Sequence, residues 1–160
     1  MRLISTLCLV ATLGLAACGT ASINAPSGTA SFAAAPRQIP LHPNETPELR
    51  ELINKYADGY GVPRPLVHQV IVRESTHRPG ARNGPYYGLM QILPATARGM
   101  GFRGQPSDLL DAETNLRYAV KYLRGAWLLS DSYDEAVGWY ARGYYYEAKR
   151  QGMLEETGLR

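Results

Sequence analysis

From Glu45 to the C-terminus, apolar residues recur every three or four positions, and nowhere do they settle into the alternation of a strand. That periodicity excludes a sheet as the organising layer and predicts an all-α domain over residues 45–160, with about five helices. Thr46 is placed to cap the first helix, with Pro47 at its first position and Glu48 near its positive end. Leu49, Leu52, Ile53 and Tyr56 share one face, and Gly59 and Gly61 stop the run. A second helix starts around Pro63 or Pro65 and reaches about Ser75; a short third covers Pro94 to Met100. The fourth begins near Asp111 and aligns Leu116, Ala119, Val120, Leu123 and Trp127. The fifth follows Ser132 and carries Val137, Tyr140, Ala141 and Tyr144. Loops are short apart from the link between His77 and Tyr87.

One residue contradicts this pattern. On the second helix, Val67, Val70 and Ile71 form a stripe at i, i+3 and i+4, and the i+7 member of that stripe is Glu74. An ordinary glutamate faces solvent, because burying a carboxylate without partners is costly. Glu74 also lies in the last helical turn, where the helix dipole disfavours negative charge. Both effects favour the protonated form. A general acid needs that property, and the tuned glutamate of lysozyme is the reference case. The plain alternative is an ion pair with Arg73 or Arg78 at a frayed helix end, and periodicity alone does not choose.

Composition narrows the partners. The formal net charge of +3 suits an anionic polymer or a membrane surface, without the Lys/Arg runs of a nucleic-acid binder. The two cysteines, Cys8 and Cys18, both precede the domain, so no disulfide and no thiolate metal site is expected in it. His42, His68 and His77 are scattered and lack zinc-motif spacing. His68 reads as a helix-face residue, and no metal or cofactor is expected.

The N-terminus reads as an address. Arg2 precedes an apolar run, Leu3 to Leu15, too short to span a bilayer as a mature helix. It ends in Leu15-Ala16-Ala17-Cys18, which resembles the lipobox of bacterial lipoproteins. The resemblance implies a signal peptide over residues 1–17 and a lipidated Cys18 as the mature N-terminus. Acyl chains there would anchor the protein, at about 0.8 kcal/mol per buried methylene; a plain secretory signal is the alternative. Gly19 in place of Asp points to the outer membrane, facing the periplasm. Residues 18–44, rich in Ala, Ser, Thr, Gly and Pro, read as a flexible tether.

Further along, Gly88-Leu89-Met90-Gln91-Ile92-Leu93-Pro94-Ala95-Thr96-Ala97 resembles the Gly-Leu-Met-Gln-x-x-Pro-x-Thr-Ala block of the lytic transglycosylase catalytic domain. This is the soluble-lytic-transglycosylase (SLT) type, lysozyme-like and related in fold to goose-type lysozyme. Tyr60-Gly61-Val62-Pro63 and Glu74-Ser75 match its upstream elements. Asp111 to Leu116, Tyr122-Leu123, and Tyr140 with Gly143 match its downstream ones. The resemblance spans about Leu49 to Lys149. It departs at Tyr140-Ala141-Arg142-Gly143, which lacks the family's Asn and Ala. It departs again before Gly88, where Asn83 is the candidate for the polar role of an absent Ser. The short domain implies a trimmed cleft.

The resemblance implies a peptidoglycan lytic transglycosylase with Glu74 as its single acid and base. Glycosidases usually need two carboxylates, but the aspartates here sit at helix ends or in turns, as is normal for Asp. The implied chemistry protonates the oxygen between N-acetylmuramic acid and N-acetylglucosamine, then closes a 1,6-anhydro ring. Ser75 and Gln91 are the polar residues expected to hydrogen-bond substrate or Glu74. Tyr87 and Met90 are expected to line the cleft. Tyr140 is either the family tyrosine that points its hydroxyl at the carboxyl or a core aromatic. Asn115 reads as a brace before a glycan contact. The rival readings are a hydrolytic muramidase on the same fold and a non-catalytic peptidoglycan-binding lipoprotein. A cell-wall or secretion machinery is a further possible partner.

Overall fold

The computed structural model describes residues 39–160. Cys8, Cys18, the signal peptide and most of the tether lie outside the described residues. Helix α1 (Pro47–Tyr60) is capped as its sequence dictates: the Thr46 hydroxyl accepts from the Leu49 amide at 3.2 Å, and Gly61 closes the other end at φ 64°. Left-handed backbone of this kind is what glycine permits without a Cβ clash. Helix α2 (Arg64–Glu74) follows after three residues, and α1 and α2 pack together. A short hairpin of β1 (Arg82–Asn83) and β2 (Tyr86–Tyr87) comes next, then α3 (Pro94–Gly99) and a 3-10 turn over Pro106–Leu110. Helix α4 (Ala112–Leu128), capped by Asp111 on the Thr114 amide at 2.8 Å, is the central strut. It packs against α1, α3, the 3-10 turn and α5 (Tyr133–Arg142), while α2 also leans on α5. Helix α6 (Tyr145–Gln151) ends the helical part.

The all-α expectation holds, with differences that have local causes. The fifth helix was expected to run through Tyr144, but it stops at Arg142, where Gly143 takes φ 85°. Tyr144 therefore belongs to the next element; it is 1% exposed, and its hydroxyl donates to the Tyr122 carbonyl at 2.8 Å. Ala141 leaves the core stripe and is exposed. The hairpin strands have two residues each, too few to show an alternation. Residues Ile39 to Asn44, assigned by composition to the tether, are held to the domain. Arg50 donates to the carbonyls of Ile39 and Pro40 at 3.3 and 3.0 Å, and Asn44 donates to that of Thr76 at 2.9 Å.

The core decides the orientation of α2. Leu66, Val67, Val70 and Ile71 are all fully buried. Burying each such side chain contributes about 1.5–3 kcal/mol. Together they outweigh the cost of half-burying one carboxylate further along the same face. Packing thus fixes the helix rotation, and Glu74 is carried inward with it.

Candidate active site

Glu74 opens into a cleft of about 560 Å³ walled by α2, the hairpin, the Gln91–Leu93 segment and the end of α5. Its side chain is 22% exposed, and it accepts no hydrogen bond from the described residues. Arg73 Nε stands 3.5 Å from Glu74 Oε1, a Coulombic neighbour too distant for a good hydrogen bond. Burial raises the Glu74 pKa above the usual carboxylate range, and Arg73 opposes this only in part. Of the two readings left open for Glu74, the ion pair exists but is loose, and desolvation governs the proton.

The Gly88–Gln91 turn brings Gln91 to the cleft wall. Gly88 has φ 75°, and a Cβ there would run into the Asn115 side chain and the Leu109 carbonyl. No other residue type fits so close an approach. Asn115, wholly buried, donates to the carbonyls of Tyr87 and Leu109 at 2.8 and 2.9 Å and accepts from the Met90 amide at 3.0 Å. It is a brace, as expected. The Tyr87 and Ile92 main chains exchange two hydrogen bonds of 3.1 Å and close the turn. Gln91 takes φ 47° and donates through Nε2 to the carbonyls of Gly88 and Ala81 at 2.8 and 3.1 Å. That fixes the side-chain amide while the residue still lines the cleft.

The expected site residues divide. Glu74, Asn83, Gln91 and Tyr140 meet around the cleft; Ser75, Met90 and Tyr87 are not among its lining residues. Ser75 is buried, its hydroxyl donating to the Ile71 carbonyl at 3.4 Å and accepting the Arg78 amide at 3.3 Å. It braces the turn after α2 and is not presented to substrate. Met90 is fully buried and serves the site only through its backbone. Tyr87 is half-buried beneath the Arg82 guanidinium, 4.7 Å from its ring centroid, because the hairpin alternates faces and turns Tyr86 to the cleft instead. Tyr140 lines the cleft but does not aim its hydroxyl at Glu74. It donates at 2.8 Å to the Met90 carbonyl, and the residue is 8% exposed. Burial, and after it the Glu74 charge, raises the Tyr140 pKa well above its ordinary value, so the phenol stays a donor. Of the two readings of Tyr140, the structure supports the core aromatic and not a hydroxyl aimed at the carboxyl, although the residue also lines the cleft.

Sequence reasoning did not pick out Tyr86, Thr96, Tyr122 and Arg142, which also line the cleft. Arg142 stacks on the Trp139 ring at 3.8 Å. The i, i+3 spacing of Trp139 and Arg142 was the available signal. With Arg73 it places positive charge beside the groove. Among the described residues, Glu74 is the one carboxylate that lines the cleft.

A second polar cluster lies beyond the cleft lining, and here the sequence expectation needs correcting. His42, His68 and His77 are not scattered in space. Their ring centroids lie 4.7 to 5.3 Å apart, around the buried Glu45. Linear spacing hid this because the segment before α1 folds back over α2. Burial raises the Glu45 pKa, but hydrogen bonds from Arg50 and the His42 amide outweigh it, aided by the charges of His68 and Arg50, and hold it at about 2. Burial lowers the His68 pKa to about 4 and also lowers that of His77, so both rings are neutral near pH 7. These four residues could hold a metal ion.

The chain matches no solved structure. The family model of the transglycosylase SLT domain matches residues 51–151, which include the cleft from Arg73 to Gly143.

Proposed function

The chain belongs to the transglycosylase SLT domain family, a transglycosylase-type domain acting on peptidoglycan, and on that premise we propose that Glu74 alone supplies acid and base for a non-hydrolytic cut. The observation that carries this reading is the solitary, half-buried carboxylate of the cleft. A hydrolytic glycosidase places a second carboxylate about 5–5.5 Å or about 6.5–9.5 Å from the first, as nucleophile or water activator. No other Asp or Glu lines this cleft among the described residues.

The chemistry runs in two proton transfers. Glu74, whose protonated form desolvation favours, gives its proton to the oxygen joining N-acetylmuramic acid to N-acetylglucosamine as the C1–O bond breaks. The muramic N-acetyl oxygen shares the positive charge that develops at C1, as in other substrate-assisted glycosidases. The Glu74 carboxylate then removes the proton of the muramic C6 hydroxyl as O6 bonds to C1. The 1,6-anhydro ring closes, Glu74 regains its proton, and no water is consumed. Arg73 and Arg142 suit a polymer bearing carboxylates on its muramic residues, and Asn83, Gln91 and Tyr86 supply polar and aromatic surface for sugar rings. In the same proposal, lipidation at Cys18 tethers the domain to the outer membrane, facing the wall.

The test is digestion of purified glycan strands by the protein and by its Glu74→Gln variant, with products read by mass. The anhydro product is lighter than the hydrolysed one by one water. Hydrated ends would replace this reading with a muramidase. Equal turnover by both proteins would remove Glu74 from its role, and no turnover by either would leave a wall-binding module.

A further inference from the structure

We propose that His42, His68, His77 and Glu45 form a structural binding site for a zinc-class divalent cation, which pins the segment before α1 to the turn that follows α2. One ligand atom from each of the four residues lies within 4.8 Å of all the others. A tetrahedral zinc with ligands at about 2.0–2.1 Å separates neighbouring ligand atoms by about 3.3 Å. The observed separations bracket that value: 3.0 Å from His68 Nδ1 to His77 Nε2, and 3.9 Å from His68 Nδ1 to Glu45 Oε1. His42 lies stacked on His77 and is only half-buried, so its ring can turn to bring a nitrogen inward.

The cluster is poorly explained as packing. His77 is fully buried, and its Nε2 faces another imidazole nitrogen, His68 Nδ1, at 3.0 Å. Buried polar groups are nearly always paired, and three neighbouring imidazoles with a carboxylate are a set that a cation satisfies at once. Burial keeps His68 and His77 unprotonated, as ligands must be. The donor set is chemically selective: imidazole nitrogen suits zinc and its transition-metal neighbours, not calcium or magnesium. Arg50 is the opposing charge, because it binds both Glu45 oxygens at 2.5 Å. Glu45 Oε1 retains a second lone pair, and the Arg50 contact orients it as outer-shell partners orient metal ligands. A cavity of about 550 Å³, lined by Ile39, His42, Arg50 and His68, gives an ion a way in.

The site would stabilise a strained place. Thr76 and His77 take φ 52° and 58°, unfavourable for residues other than glycine, and His77 stands three positions after Glu74. A cation bound there would hold this turn and the Asn44–Thr76 hydrogen bond together.

The test uses the whole purified chain stripped with a chelator, titrated with Zn2+ by calorimetry and melted with and without the ion. We expect one equivalent of Zn2+ to bind and raise the Tm, no such rise with Mg2+, and a tetrahedral visible spectrum on Co2+ loading. His42→Ala, which lies outside the helices, should weaken Zn2+ binding by at least about tenfold without lowering the Tm of the stripped protein. His68→Gln should do the same to affinity, and Glu74→Gln should leave it unchanged. No stoichiometric Zn2+ binding, or wild-type affinity in both histidine variants, would overturn the proposal.

Discussion

Two glutamates border the functional half of this molecule, and their surroundings treat the same carboxyl group in opposite ways. Glu45 has no exposed side-chain surface, yet both its oxygens have partners. It accepts two hydrogen bonds from Arg50 at 2.5 Å and one from the His42 amide at 2.8 Å, and its pKa is held at about 2. Glu74 keeps 22% of its side-chain surface, has one loose cation 3.5 Å away, and is raised. The side chain with less exposed surface is the more acidic one. Depth therefore does not decide a carboxyl's role here; partners do. A buried acid with partners holds structure together, whereas one denied them is left with a proton to give away.

Exchanging each for its amide should separate the two roles. Glu74→Gln removes the transferable proton and should lower turnover of glycan by about 10²–10⁴-fold, the usual reach of general acid–base catalysis. Its Tm should hold or rise, because a neutral amide avoids the desolvation that raises the Glu74 pKa. Glu45→Gln should do the reverse. Breaking a buried ion pair by removing one member costs about 3–5 kcal/mol, measurable by denaturant unfolding. The loss of turnover per folded molecule should be far smaller than for Glu74→Gln. If both variants lost stability equally, the contrast between the two carboxyls would fail.

Acid titration reads the same contrast without mutation. A histidine whose folded pKa is depressed binds its proton more readily when unfolded, so stability falls as pH drops below 6.5 and continues to fall to about 4, from His68 with His77 acting in the same direction. Glu45 is depressed from 4.5 to about 2, so its contribution is present above pH 4.5 and is lost down to about pH 2. Glu74 has the opposite sign: its ionisation as pH rises through its raised pKa costs stability. Melting curves from pH 7 to 2 should show a continuous decline, and Glu45→Gln should flatten its lower part.

Tyr140 sharpens the comparison at a smaller scale. Tyr140→Phe leaves the Met90 carbonyl without its 2.8 Å donor and should cost about 1–3 kcal/mol. With the hydroxyl on a carbonyl and not on Glu74, the pH dependence of turnover should keep its shape. A moved pH profile would place the phenol in direct contact with the acid during catalysis.

What was legible beforehand follows the same division. Glu74 stood out because a helix repeats its faces at i+7, and the core-facing Val67, Val70 and Ile71 transmit that register directly to the side chain. Asn115 and Gly88 were legible as parts of a motif, and packing explains them: one has its amide on three backbone groups, the other has no room for a Cβ. Ser75 and Met90 were misassigned because motif membership does not say whether a residue acts through its side chain or its backbone. Met90 contributes an amide and a carbonyl, which any residue has. The histidine cluster was invisible because it depends on a chain reversal before α1, held by Arg50 on two carbonyls, that no local periodicity encodes. The break at Gly143 was written as a glycine, but the apolar stripe ran past it to Tyr144.

The smallest expected effect belongs to Arg73, and it tests whether desolvation or Coulomb attraction sets the proton on Glu74. Arg73 lowers the Glu74 pKa, but its side chain is 52% exposed and the gap is 3.5 Å, so solvent and salt screen it. Glu74 must be protonated to act as the acid, so activity is lost as pH rises through its pKa. Arg73→Gln removes the lowering influence and should move that loss to higher pH, with little change in Tm. Raising the ionic strength should move the wild-type profile the same way by screening the same charge, and should move the variant's less. A variant profile that shifted to lower pH would mean that Arg73 mainly shields the carboxyl from water, making its aliphatic stem and not its charge the relevant part.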